Sequence, residues 1–136
     1  MVGVDSSPDA VARARAKAAG RGLDAEFLVA DVLDLRRIRR RFETGIDVGL
    51  FHTLADGDRR RYAHSLEDVL SPWSTLFLLC FSDEEPPGDG PRRISESDLR
   101  EAFRSIFALT WIRRANYASR TRPNGARAWL ASLTRI

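Results

Sequence analysis

Three acidic side chains lie at or beside short apolar segments of this 136-residue chain. Asp5 ends the apolar segment 1–4, Asp31 follows the run AEFLVA, and Asp47 lies within the run GIDVGL. An ionised carboxylate accepts two hydrogen bonds at once, so these positions suit the binding of hydroxyl and amino groups. Asp5 and Asp31 can equally cap the turns that follow their segments. The residues alone do not decide between ligand binding and turn capping.

Two further side chains could in principle carry chemistry. His52 follows Asp47 by five positions, and an unperturbed imidazole titrates near ~6.5, which suits a general base. A structural or pocket-lining role for His52 is the alternative. Cys80 is the only cysteine and lies inside the apolar run TLFLLCF, where it is expected to be buried. The sequence therefore predicts no disulfide and no cysteine-based metal centre such as a zinc cluster.

Composition sets the class of protein. With 43% hydrophobic residues, the chain can build one core and is too short for two, so a single domain over residues 1–136 is expected. It has neither an apolar run of the ~20 residues that cross a membrane nor a signal sequence, which predicts a cytoplasmic protein. The net charge is +3, with 22 basic and 19 acidic residues interspersed.

The elements that would position these side chains alternate along the chain. Ser7 and Pro8 predict the start of a helix over 10–19, between strands at 1–4 and 25–30. Such spacing is typical of a right-handed crossover and a parallel sheet. Further strands are predicted at 45–50 and 75–81, and helices at 56–70 and from Ser95. The last strands, 108–113 and 128–133, are predicted to be antiparallel across a turn at Arg122-Pro123-Asn124-Gly125.

Four segments together resemble the class I S-adenosylmethionine (SAM)-dependent methyltransferases. They are V-G-V-D-S-S-P, E-F-L-V-A-D-V-L-D-L, I-D-V-G-L-F-H-T-L and L-S-P-W-S-T-L-F-L-L-C-F-S-D. The resemblance implies an α/β, Rossmann-like methyltransferase sheet with strand order 3-2-1-4-5-7-6, of which strands 2 to 7 are present, with a C-terminal antiparallel pair. It is greatest for bacterial enzymes of the thiopurine and heterocyclic-toxin type.

The same resemblance implies a cofactor and roles for individual residues. SAM would lie at the carboxyl ends of the strands, and a small molecule would receive the methyl group on oxygen, nitrogen or sulfur. The transfer asks the protein mainly for alignment and desolvation, so a base is often unnecessary. The residues implied are Asp5 with Ser6 at the ribose, Asp31 with Val32 at the adenine, Asp47 with Gly49 at the methionine, and Phe51, Phe81 and Ser82 with His52 at the acceptor.

The sequence departs from the family in three places. The first strand and its G-x-G-x-G loop are expected about 20 residues before Val2, so the domain is expected to be incomplete at its N-terminus. A missed upstream start, a degenerate remnant, or a strand supplied by another chain or by rearrangement would each explain this. Unpaired strand edges would then favour homo-oligomers. The second departure is Trp73-Ser74, where the family has two glycines, so the turn there is expected to adopt another conformation. The third is Glu43-Thr44-Gly45, which places a glycine inside the presumed fourth strand and weakens it.

Two alternative functions remain from the sequence. One is a non-catalytic, oligomerising remnant of a methyltransferase. The other is an arginine-rich module that binds nucleic acid, against which stand the neighbouring acidic residues and the lack of interleaved aromatic residues for base stacking. The acceptor itself is not specified by the motifs. The arginines concerned are Arg36, Arg37, Arg39, Arg40, Arg41, Arg59, Arg60 and Arg61.

Overall fold

The computed structural model describes residues 1–136 and confirms the α/β class. It contains six strands and three α-helices, joined in part by 3-10 turns at Leu35–Ile38 and Phe51–Thr53. None of the helices combines the length and the apolar composition of a membrane span. In chain order the elements are β1 (Val2–Asp5), α1 (Pro8–Gly20), β2 (Glu26–Val29), β3 (Phe42–Val48), α2 (Asp56–Glu67), β4 (Leu70–Phe81), α3 (Glu96–Phe103), β5 (Phe107–Ser119) and β6 (Arg122–Arg135).

The strands form two separate sheets. β1 and β2 pair in parallel, and the second sheet has the order β3-β4-β6-β5, in which β3 and β4 are parallel and β6 is antiparallel to both neighbours. This order matches the 4-5-7-6 part of the expected sheet, and the C-terminal antiparallel pair is confirmed. β1 and β3 each keep one edge without a strand partner.

Helix α1 begins as the sequence predicts. The Ser7 side chain accepts a hydrogen bond from the Ala10 N–H at 3.2 Å, and Pro8 occupies the first turn, where no N–H is needed. Arg15 fastens the helix to the smaller sheet through a 2.6 Å hydrogen bond from its Nη2 to the Phe27 carbonyl. Arg15 therefore ties α1 directly to β2.

The core lies between one face of the larger sheet and helices α2 and α3. Leu76, Leu78 and Cys80 point from alternate positions of β4 into this core, where Phe103 also packs. Burial raises the pKa of the Cys80 thiol to about 12. Cys80 is thus a small apolar side chain and not a nucleophile at neutral pH.

The opposite face of the larger sheet carries exposed apolar side chains. Ile46 and Val48 on β3 are 74% and 61% exposed, and Phe77 on β4 lies beside Ile46 in the sheet register. Exposed apolar surface next to a free strand edge favours association between chains. Self-association stays a prediction, which light scattering would check.

The predicted turn at Arg122–Gly125 is wrong. β5 and β6 continue past it and reverse at residues 120–121, so Asn124 and Gly125 lie inside β6. Gly125 has a φ of +68°, and the Asn116 side-chain amide donates to the Asn124 carbonyl at 3.0 Å. Between Tyr117↔Ala126 and Ser119↔Arg122 the register shifts. The Asn-Gly pair therefore forms a bulge, because glycine adopts a positive φ in a strand as readily as in a turn.

The backbone at Trp73 has an unusual conformation. Its φ is +68°, the left-handed conformation that glycine adopts without strain, and its side chain is 77% exposed. The strand register shifts between Phe42↔Leu70 and Thr44↔Thr75, so the residues around Trp73 bulge out of β4. The backbone thus keeps a glycine-like conformation although tryptophan occupies the position.

We predict that Trp73→Gly raises the free energy of unfolding by roughly 0.5–1 kcal/mol, since relief of the left-handed strain exceeds the entropy cost of glycine. Urea titration measures the change. Trp73→Ala is the matched control, because it removes the indole but keeps the strained Cβ. An equal gain in both variants would assign the effect to the side chain and contradict the prediction.

Candidate ligand site at the carboxyl ends of the strands

Asp5 and Asp31 lie next to each other at one edge of the smaller sheet. Asp5 pairs with Val29, and the Ala30 N–H donates to the Asp5 carbonyl at 3.0 Å. Each carboxylate accepts one local hydrogen bond, Asp5 from the Ser7 N–H at 2.8 Å and Asp31 from the Leu33 N–H at 2.9 Å. The second oxygen of each has no partner within the chain. Local capping therefore leaves one exposed acceptor on each side chain.

The neighbours of these two carboxylates differ in character. Ser6 is exposed beside Asp5, whereas Val32 is partly buried and packs against the main core. Val4 of β1 also packs against the main core. These apolar contacts hold the smaller sheet against the rest of the molecule.

Asp47 is turned into the protein. Its side chain is 4% exposed and accepts three hydrogen bonds: from the Leu50 N–H at 2.8 Å, the Phe51 N–H at 3.2 Å and the Tyr62 hydroxyl at 3.1 Å. Burial raises the pKa of Asp47, and the three donors oppose part of that shift. Burial next to this carboxylate raises the pKa of Tyr62 as well. The Asp47 side chain therefore binds the β3–α2 connection, and not a ligand site at the ends of the strands where Asp5 and Asp31 lie.

Gly49 has a φ of +86°, and its neighbour is a side chain that the sequence did not single out. A Cβ at Gly49 would lie 2.2 Å from the Tyr117 hydroxyl, which also lies 3.5 Å from the Val48 carbonyl oxygen. Glycine here therefore makes room for Tyr117. No local pattern could have found Tyr117, because it reaches this edge from β5, far along the chain.

His52 is held by a backbone donor. The Phe81 N–H donates to its Nδ1 at 2.9 Å, and the imidazole contacts the rings of Phe81 and Tyr117 at centroid distances of 5.0 and 5.5 Å. Because a backbone N–H can only donate, Nδ1 carries no proton and the neutral ring is protonated at Nε2. Burial lowers the pKa of His52 to about 4. The imidazole is therefore neutral at physiological pH.

A cavity of about 500 Å³ opens beside His52. Phe81 lines it as the sequence suggested, but Phe51 does not: Phe51 is fully buried and packs on Phe103 with centroids 5.4 Å apart. Ser82 is also buried, and its hydroxyl accepts from the Glu84 N–H. The lining residues are His52, Phe81, Asp89, Gly90, Pro91, Tyr117, Ser119, Thr121 and Arg122.

Six of the eight arginines that the sequence groups together form ion pairs within the chain. Arg36 and Arg37 both contact Asp34, and Arg40 pairs with Glu26. These carboxylates offset the positive charge that a phosphate backbone would require. No group of three or more His, Cys, Asp or Glu side chains is placed to hold a metal ion.

Comparison with known proteins places this geometry in context. Residues 1–73, just over half of the chain, match the family described as "Methyltransferase domain". A 2-heptyl-1-hydroxyquinolin-4(1H)-one methyltransferase of Mycobacteroides abscessus is 38% identical over 111 residues, which are 79% of this chain and 49% of that protein. The chain spans about half the length of the curated relatives it matches.

Two solved structures show the same fold. One comes from work on the conversion of a disulfide bond into a thioacetal group during echinomycin biosynthesis; it has a TM-score of 0.85 and 32% identity, and the match covers 98% of this chain and 65% of that one. The other is a SAM-dependent methyltransferase from Methanosarcina mazei, with a TM-score of 0.84, 16% identity and coverage of 99% and 81%.

We predict that His52 makes the stability of the protein depend on pH. Between about 4 and 6.5 the unfolded imidazole binds a proton that the folded one does not, so this contribution to stability is lost as pH falls through that window. His52→Asn keeps an acceptor for the Phe81 N–H but does not titrate. Urea unfolding across this range should show the wild type losing stability relative to the variant, and a constant difference would contradict the prediction.

Proposed function

We propose that this chain, which belongs to the class I SAM-dependent methyltransferases, transfers a methyl group from SAM to an oxygen, nitrogen or sulfur atom of a small molecule. One observation carries the proposal. Asp5 and Asp31, on adjoining strand ends within the matched segment, each keep a carboxylate oxygen free of partners in the chain. Open α/β sheets bind their ligands at this edge.

The chemistry of these side chains fits a nucleoside. The free Asp5 oxygen would accept hydrogen bonds from ribose hydroxyls, with Ser6 beside it. Asp31 would accept one from the exocyclic amine of adenine, against the backbone of Val32. Both bonds are charge-assisted and so stronger than those between neutral groups.

The methionine end of the cofactor would meet different groups. Since Asp47 is already hydrogen-bonded to three donors within the chain, we infer that it holds the Gly49–Phe51 loop in place and does not contact the cofactor. Gly49 and Tyr117 form the adjoining surface. When bound, SAM supplies an electrophilic methyl group on its sulfonium. The remaining task of these residues is to align the acceptor and exclude water.

The cavity beside Tyr117 is proposed to hold the methyl acceptor. Its volume of about 500 Å³ suits a small molecule, since such pockets span ~300–1,000 Å³. The relative from Mycobacteroides abscessus is named for a hydroxyquinolinone, a compound of this size. Three ring side chains, His52, Phe81 and Tyr117, provide ring surfaces on which such a molecule can pack.

We predict that Asp5→Asn weakens the binding of S-adenosylhomocysteine about tenfold, because the variant keeps the local acceptor for Ser7 but loses the charge that a ribose hydroxyl would meet. Isothermal titration calorimetry measures it. Asp24→Asn is the matched control, since Asp24 is an exposed acid away from this edge and should leave the affinity unchanged.

Two results would count against the proposal. If Asp5→Asn bound as tightly as the wild type, the ribose assignment would fail. If the wild-type chain bound no S-adenosylhomocysteine at millimolar concentration, this chain alone would be a non-catalytic member of the family.

A further inference from the structure

We propose that the cavity beside His52 binds its methyl acceptor as an oxyanion that has already lost its proton, and that His52 donates a hydrogen bond to that oxygen. The inference rests on the proposed function and specifies the acceptor as an acidic hydroxyl on an aromatic or enolic carbon. It assigns His52 the role of a hydrogen-bond donor, where the sequence left a general base and a structural or pocket-lining residue as alternatives.

The direction of hydrogen bonding at His52 sets its role. Nδ1 is occupied by the Phe81 N–H at 2.9 Å, which fixes the proton of the neutral ring on Nε2. A protonated Nε2 cannot take another proton, and protonation at Nδ1 would break the bond to Phe81. His52 is therefore unable to act as a general base without disrupting the end of β4.

The Nε2–H is available to a ligand. It has no hydrogen-bond partner within the chain, and it is not one of the fully enclosed side-chain atoms left without a partner, which are Arg59 Nε, Ser74 Oγ and Arg135 Nε. His52 lines the cavity, and we infer that its Nε2–H faces that space. A fixed donor at the wall of a cavity is the arrangement that stabilises a negative oxygen.

The other charged and titratable groups around His52 do not replace it as a base. Tyr117 faces it from β5, and Arg122 from β6 is paired with Glu85 at 3.0 Å. The Arg92 N–H donates to the His52 carbonyl, while the Arg92 guanidinium pairs with Asp56 at 2.6 Å. Asp89, on an exposed loop, is the one carboxylate that lines the cavity. It is the rival base with a carboxylate, and it can be tested separately.

The chemical step balances without a base. An oxygen lone pair of the bound anion forms the new O–C bond while the C–S bond of the methyl donor breaks, and the C–S electron pair remains on sulfur. A negative oxygen and a positive sulfonium become a neutral ether and a neutral thioether. No proton moves, because solvent removed it before binding.

The test compares the two protonation states of one probe, 4-nitrophenol, which ionises near neutral pH. Its affinity for the full chain is measured by calorimetry in saturating S-adenosylhomocysteine, at pH values below and above the pKa of the probe. We expect the phenolate to bind at least about tenfold more tightly than the phenol, as a charge-assisted hydrogen bond allows.

Two variants of His52 distinguish a hydrogen-bond donor from a side chain that only fills the space. Asn places its amide oxygen near Nδ1 and keeps the contact with Phe81, whereas Gln places an amide N–H near Nε2. His52→Asn should lose the preference for phenolate, and His52→Gln should retain it. Asp89→Asn should retain it too. Tighter binding of the phenol, full preference in His52→Asn, or loss of preference in Asp89→Asn would each overturn the proposal.

A measurement on the wild type needs no variant to fold. With ¹⁵N-labelled histidine, NMR should show His52 as the neutral Nε2–H form at neutral pH, and an Nδ1–H form would overturn the proposal.

Binding experiments distinguish failure of the proposed methyltransferase function from failure of the acceptor proposal. If S-adenosylhomocysteine binds and nitrophenolate does not, the acceptor assignment fails alone; if neither binds, both fail.

Discussion

The buried carboxylate of Asp47 is the constraint on which the site depends. Burying an ionised carboxylate without partners costs several kcal/mol, and here two backbone N–H groups and the Tyr62 hydroxyl offset that cost. These bonds fix the chain as it leaves β3 and join it to α2. They thereby set Gly49 beneath Tyr117 and His52 against Phe81, the contacts from which the cavity is built.

Sequence patterns predicted the elements that depend on neighbours in the chain. The cap of α1 by Ser7 was predictable, as was the Ser95–Asp98 capping box of α3, because each is complete within four residues. The placement of Asp5 and Asp31 at strand ends follows from the same local logic. Their local capping bonds and their open acceptors coexist, so the two interpretations offered by the sequence do not exclude each other.

Contacts between distant segments could not be predicted in this way. In the segment I-D-V the structure buries the charged Asp47 and exposes the apolar Ile46 and Val48, the reverse of what their hydropathies alone would favour. The carboxylate is buried because Tyr62 reaches it from α2. Tyr117 likewise reaches Gly49 from β5, and the Asn-Gly signal produced a bulge because the antiparallel pair extends beyond it. In each case a tertiary partner decided the outcome.

A double-mutant cycle between Asp47 and Tyr62 tests this account most directly. We predict from urea unfolding that Asp47→Ala costs roughly 2–4 kcal/mol and that Tyr62→Phe is coupled to it by about 1 kcal/mol or more, because the hydroxyl loses its acceptor in the alanine variant. An Asp47→Ala protein as stable as the wild type, or two losses that simply add, would contradict the claim that this carboxylate organises the site.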